Sequence, residues 1–326
     1  MSFLLRRTAL TLGLTAGLLP SARAQDRDYP NKPVTIVVPF TAGGATDLSA
    51  RLMAQLLTQE LGQSFVVLNK AGASGMIGMG AVASAAKDGY TLGWGGNSPM
   101  SVAPYLIRNP PYDPIKSFAP IGLAAISSWT MVVRPDLPVK SVAELVALAK
   151  AQPGKLTYAS SGNGSAPHLM GEQLKAAAGI DLLHVPFKGE IDGFNAIMAG
   201  QVDLMMGSTS TASTLIKSGR IKGLAVTTPQ RDPTLPDLPT VAEAGVPELT
   251  FEIFFGLVAP AGTPEPIIEK LSAAMKKVAA NPVYSETLEK AGVHATSSTP
   301  QELAALLARH NERWRAVIER NHIVSE

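Results

Sequence analysis

Val34-Thr-Ile-Val-Val-Pro-Phe-Thr-Ala-Gly-Gly-Ala-Thr-Asp-Leu48 decides the fold of this chain. The β-branched run at 34–38 reads as a buried strand. It meets Pro39 and then Gly43-Gly44. Leu48, Leu52, Met53, Leu56, Leu57 and Leu61 then recur at helical spacing, which predicts an amphipathic helix with these six on one stripe. Strand, glycine turn and helix start together aim unpaired backbone N–H groups at one point, the geometry that holds an anion. Glycine has no Cβ, so a ligand can approach the backbone closely there. The stretch therefore predicts a small-anion site, with a carboxylate as the expected guest, against the plainer reading of an ordinary βα turn.

Outward from that turn, the chain alternates short strands and helices. Strands are expected at 34–38, 65–68, 91–94, 121–125, 131–134, 156–159, 182–185, 204–206, 224–227 and 254–258. Ser141-x-x-Glu144 is a capping box opening a helix through Lys150. Pro167 fits the first turn of a helix to Ala178, and Thr299-Pro-Gln-Glu302 opens a C-terminal helix to about Ile323. This alternation predicts an α/β architecture with mostly parallel sheets. The chain changes domain near 124–130 and through the proline-rich 229–247, so two lobes are expected. The first comprises 25–125 with 255–326, the second 126–254.

The N-terminus reads as an export signal. Arg6-Arg7, the apolar 8–19 and the Ala22-Arg-Ala24 cleavage pattern form a signal peptide over 1–24, with a mature start near Gln25. The arginine pair raises the twin-arginine route, which Thr8-Ala-Leu10 fits poorly; the general secretory route is the expectation. Cleavage removes Arg6, Arg7 and Arg23 and no acid. That leaves 25 basic against 26 acidic residues, a charge near −1, in 302 of the 326 residues. No basic excess remains for nucleic acid. The absence of cysteine excludes disulfides, thiolate chemistry and cysteine-ligated metals. The expected compartment is the periplasm, and the mature chain is read as a soluble monomer.

A second glycine turn, Ser160-Ser-Gly-Asn-Gly-Ser-Ala-Pro-His168, also links a strand to a helix. Its backbone and the hydroxyls of Ser160, Ser161 and Ser165 could hold a carboxylate. Two such turns, one per lobe, predict a cleft that clasps an anion from both sides. The ligand-binding candidates are Phe40, Thr41, Ala42, Gly43, Gly44 and Asp47 from the first turn. Ser160, Ser161, Gly162, Gly164, Ser165 and His168 come from the second. Asn97, Lys188, Gly189 and Asp203 complete the set. Several have plainer readings: Asp47 as a helix cap, Lys188 as a solvated loop cation, Asp203 as a turn residue, His168 as a helix N-terminal residue. Trp94 and Trp129 could wall a pocket, although core packing is the usual role. Gly78-x-Gly80-x-x-Ala83 matches a dinucleotide fingerprint formally, but its strand ends about ten residues too early; it is read as a loop opening a helix on the cleft rim. No G-x-S-x-G elbow or H-E-x-x-H is present, so no catalytic residue, metal or cofactor is expected.

These residues resemble the periplasmic solute-binding receptors of tripartite tricarboxylate transporters, the Bug or TctC-like family. The resemblance rests on an ordered set of segments. They are Tyr29-Pro-Asn-Lys-Pro33, Pro39-Phe-Thr-Ala-Gly-Gly-Ala-Thr-Asp47, Gly72-Ala-Ser-Gly75, Asp88-Gly-Tyr-Thr-Leu92 and Tyr112-Asp-Pro114. Ser160-Ser-Gly-Asn-Gly164, Val185-Pro-Phe-Lys-Gly189, Gly200-Gln-Val-Asp203, Leu235-Pro-Asp-Leu-Pro-Thr240 and Ala259-Pro-Ala-Gly-Thr-Pro264 continue it. It implies a two-lobed Venus flytrap of type II-like topology, with two crossovers, that closes on an organic carboxylate and delivers it to membrane permease subunits. It also implies that turns 41–44 and 160–165 grip one carboxylate, while the distal end of the ligand meets more variable residues. Mono- and dicarboxylates, aliphatic or aromatic, all remain open. One departure is Glu190-Ile-Asp192, where the family often has small residues and proline. It counts against a tricarboxylate such as citrate. Two other classes stay in view: a ligand-sensing receptor for a signalling partner, and a periplasmic hydrolase using a serine of the Ser160–Ser165 loop with His168, against which counts the lack of an acid placed to orient the histidine.

Overall fold

The computed structural model describes residues 29–187 and 189–320. The expected signal peptide and Lys188 lie outside the described residues. The strands, in chain order, are β1 Val34–Val38, β2 Phe65–Asn69, β3 Thr91–Gly96, β4 Phe118–Ser127, β5 Trp129–Val133 and β6 Thr157–Ser160. They continue with β7 Leu183–Pro186, β8 Leu204–Ser208, β9 Lys222–Val226, β10 Ile253–Pro260 and β11 Val293–Ala295. The helices are α1 Ala45–Leu61, α2 Met76–Ala83, α3 Val142–Ala151, α4 Ala166–Ala178 and α5 Glu190–Met198. Then follow α6 Thr209–Lys217, α7 Glu265–Ala279, α8 Pro282–Lys290 and α9 Pro300–Arg320.

Two sheets carry two lobes. The first has the order β11-β4-β10-β3-β1-β2, the second β7-β6-β8-β5-β9. The expectation of mostly parallel sheets needs correction. β1, β2 and β3 are parallel, as are β6, β7 and β8, but β4, β10 and β11 and then β5 and β9 pair antiparallel. β4, β5, β9 and β10 flank the two crossings between the sheets, and they do not enter right-handed βαβ units that would force parallel pairing. β11 was not foreseen, because three residues carry no periodicity to read.

Helix starts follow local chemistry. Thr299 and Glu302 form a full reciprocal capping box, with Glu302 N–H donating to Thr299 Oγ1 at 3.2 Å and Thr299 N–H to Glu302 Oε2 at 2.8 Å. Ser141 accepts from Glu144 N–H, but the Glu144 carboxylate takes the Lys140 N–H, one residue earlier than the motif requires. In α1 the buried face is Ala50, Met53, Ala54 and Leu57. Leu48, expected on this stripe, is exposed. At about 100° per residue it falls on the opposite side of the helix from that face.

The register places the functional edge. Gly96 at the end of β3 faces Phe255, and Ile253 at the start of β10 faces Ser127. In the second sheet Ser208, the end of β8, faces Trp129, the start of β5. Both sets of parallel strands therefore end on the side of their sheets where the single residue Ser128 links β4 to β5. α9 spans the lobes. Its Leu303 and Leu307 pack with Phe254 and Val258, whereas Trp314 and Ile318 join the second lobe's core beside Phe251. A 21-residue helix reaches about 30 Å, enough to bridge both. Arg313 fixes this end by donating to the Glu248 carbonyl at 2.6 Å and to the Thr250 carbonyl.

Candidate functional site

The first turn is built by Asp47. Its carboxylate is buried and accepts from Gly43 N–H at 3.0 Å, Arg51 Nε at 2.9 Å and Asn69 Nδ2 at 2.8 Å. Asn69 also donates to the Phe40 carbonyl at 3.0 Å, tying the turn to the end of β2. Burial alone would raise the Asp47 carboxyl; the bonds from Arg51, Asn69 and Gly43 outweigh it and hold the group below the usual aspartate range. Gly43 has φ +97°, a conformation that glycine adopts without strain. Thr41, Ala42, Gly43 and Gly44 are all exposed. Leu48 is the first residue of α1 to donate back, to Gly44, so the N–H groups of Ala45, Thr46 and Asp47 carry no intrahelical bond. Asp47 therefore shapes the turn, and the backbone presents the donors. The glycine loop at 72–80 braces it from below: a Cβ on Gly78 would lie 2.9 Å from Pro39 Cα and 2.7 Å from the Lys70 carbonyl, so only glycine lets α2 pack this closely.

The second turn starts α4. Ser160 Oγ accepts from Gly162 N–H at 3.1 Å, and Ser165 Oγ donates to the Gly162 carbonyl at 2.7 Å. Gly164 N–H donates to His168 Nδ1 at 3.0 Å. That bond requires an unprotonated Nδ1, so His168 is neutral with its proton on Nε2. His168 stacks on His184 at 4.1 Å, and His184 on Tyr158 at 4.8 Å. Ser165 and His168, the pair a hydrolase would use, do not meet; each is bonded to the loop backbone. A different contact exists, Ser160 Oγ to His184 Nε2 at 2.6 Å, but among the described residues no acid hydrogen-bonds His184. Burial, then the neighbouring His168, lowers the His184 imidazole to about 4. Nuclear magnetic resonance should find His184 neutral down to about pH 4. A midpoint near its ordinary 6.5 would remove the stacked neutral pair from this account.

The remaining candidates divide. Gly189 caps the start of α5 in extended conformation beside this edge. Asn97 follows β3 at the crossing, but its amide is fully engaged: Nδ2 donates to the Glu252 carbonyl at 3.2 Å and meets His310 Nδ1 at 3.1 Å, and Oδ1 accepts from Phe254 N–H at 3.0 Å. It pins α9 and the second crossing together. Asp203 lies just before β8, at the end of the strand opposite Ser208. There it accepts from Arg134 Nε at 2.7 Å and from Thr157 N–H at 2.8 Å, which fits its reading as a turn residue. Trp94 is wholly buried in the first core, and Trp129 packs against Phe251 at 5.3 Å.

Sequence reasoning missed a buried polar chain at the crossing. Ser128 Oγ donates to Asp232 Oδ2, so Thr209 Oγ1 must donate to Ser128, and Thr130 Oγ1 to Thr209 at 2.8 Å. His294 Nε2, on β11 of the first lobe, meets Asp232 Oδ2 at 3.4 Å. The proline-rich composition around Asp232 concealed it. The lobes also touch at the rim, where Leu106 Cδ1 lies against Gly164. No helix among the described residues is long and apolar enough to cross a membrane.

Known proteins resemble this chain along most of its length. The profile of the tripartite tricarboxylate transporter family receptor matches residues 49–323. A UPF0065 protein from the tcbD-tcbE intergenic region of Pseudomonas sp. strain P51 is 36% identical over 315 residues, covering 96% of this chain and 94% of its own length. A solved R. palustris protein with adipate is 35% identical, with a TM-score of 0.82, covering 91% of this chain and 99% of that one. MatC from Rhodopseudomonas palustris with bound malate is 33% identical, with a TM-score of 0.79, covering 89% and 100%.

Proposed function

This chain belongs to the tripartite tricarboxylate transporter receptor family, and from that premise we propose that it clasps one carboxylate between the turns at 41–44 and 160–165 and delivers its ligand to the permease of a tripartite transporter. It is a periplasmic solute-binding receptor and not an enzyme. Within that role, residues 1–24 act as a cleaved export signal, and the mature chain works as a monomer. The lobes divide near Ser128 and again between β9 and β10.

The observation that carries the reading is the pair of βα turns on facing sheet edges, each ending in an uncapped helix start. Gly44 and Ser165 both hold extended backbone with no side-chain cap. Backbone donors do not titrate, so binding persists at every pH where the ligand is ionised. Closure is stabilised only by contacts that the ligand makes more strongly in the closed form. Calorimetry of the mature protein against aliphatic and aromatic mono- and dicarboxylates tests this. At least one acid should bind, with an affinity that holds from pH 6 to pH 8; silence across the whole panel refutes the proposal.

A further inference from the structure

The second lobe gathers three helix starts on the cleft edge, those of α4, α5 and α6, because β6, β7 and β8 run parallel. They are not equally free. Ser208, the residue before α6, gives its N–H to Glu190 Oε1 and its hydroxyl to Glu190 Oε2, the latter at 2.9 Å. Thr209 N–H is spent on the Ser128 carbonyl at 3.0 Å. The chain's own carboxylate thus occupies the α6 start, and the same group stands at the first position of α5. The α4 start carries no such carboxylate, since Ser165, the residue before it, makes no side-chain cap. Glu190 is also beside the hinge: Ser208 faces Trp129, the residue after Ser128. The α4 and α5 loops adjoin, with Phe187 N–H donating to the Ser160 carbonyl at 2.9 Å.

We infer that Glu190 is a specificity-determining residue that makes this receptor prefer ligands whose distal end is cationic or uncharged over dicarboxylates. The inference rests on the carboxylate-clasp reading above. A ligand carboxylate reaching the α6 start would find the Ser208 and Thr209 donors taken and a half-buried carboxylate in the way. Like charges at close range in a shielded site are costly, whereas an ammonium group would be attracted. Burial pushes the Glu190 carboxyl upward, against the lowering effect of its bonds from Ser208. No other titratable side chain among the described residues hydrogen-bonds it.

The test compares matched pairs by calorimetry at pH 7.5: succinate with 4-aminobutanoate, glutarate with 5-aminopentanoate, adipate with 6-aminohexanoate. Wild-type protein should bind one of the amino acids at least about tenfold more tightly than its dicarboxylate partner. Glu190→Gln keeps an acceptor for Ser208 and removes the charge. It should shift that ratio toward the dicarboxylate by at least about tenfold, with an unchanged thermal midpoint. A wild-type preference for the dicarboxylate in every pair, or a ratio that Glu190→Gln leaves unmoved, overturns the inference while leaving the receptor reading intact. Failure of every carboxylate in the wider panel to bind overturns both.

Discussion

Asp47→Ala should lower stability by about 2 kcal/mol and weaken ligand binding by at least about tenfold, although the Asp47 side chain is not among the groups proposed to touch the ligand. The carboxylate is buried and serves three donors at once. Its loss leaves Gly43 N–H without this acceptor, takes one of two acceptors from Asn69 Nδ2, and leaves Arg51 with Asn69 Oδ1 alone. The Arg51 contribution is small, because that side chain is half exposed and screened by solvent. The larger effect is the loss of turn geometry, since Asn69 Nδ2 then holds only the Phe40 carbonyl. Asp47→Asn should lose less, as its amide oxygen can still accept from Gly43. The sign with pH follows from the depressed carboxyl: its contribution is present above 3.8 and is lost as pH falls through the lower folded value. Denaturant midpoints and calorimetry on the two variants check this. Equal affinity of Asp47→Ala and wild type would show that the turn does not depend on its anchor.

Asp232→Ala should cost about 3 kcal/mol, the larger stability loss of the two. It removes the terminal acceptor of the chain Thr130–Thr209–Ser128 and the partner of His294, all at the point where the lobes join. Burial pushes the Asp232 carboxyl up, but bonds from His294, Ser128 and Thr234 more than offset it and hold it at about 2. The Asp232 bond raises His294 above 6.5 against the opposing effect of burial. For Asp232 the stabilisation is present above 3.8 and disappears as pH falls through about 2. For His294, raised in the fold, it is present in full below 6.5 and is lost as pH rises through the folded value. Wild type should therefore exceed His294→Gln most between pH 4 and 6.5, and the gap should narrow above that range. Thermal midpoints of the two proteins across pH 4 to 9 measure it. A gap independent of pH would assign His294 a packing role only.

Polar residues near the sheet ends show how far linear reading reaches. Gly43, Gly44 and the strand before them announce an anion turn locally, because conformation and spacing are local properties. The register of β8 is not local. Asp203, just before β8, and Ser208, its last residue, lie at opposite ends of one strand: the first bonds Arg134 beyond β5, the second faces Trp129 beside the crossing. Asn97 reads as a polar residue after a strand, and only the arrival of Glu252, Phe254 and His310 from distant segments turns it into a pin.

By itself the sequence determined the α/β alternation, the two glycine turns, the two crossings and, through its ordered motifs, the receptor family. Each depends on short-range chemistry: β-branched runs, helical spacing, caps and glycine at turns. The tertiary structure alone decided which strands run antiparallel, that α9 braces both lobes, that Asp232 and His294 meet at the hinge, and that Glu190 closes the α6 start. Those facts depend on contacts between residues far apart in the chain, whose pairing is set by sheet order and helix packing and leaves no periodic trace in the residues themselves.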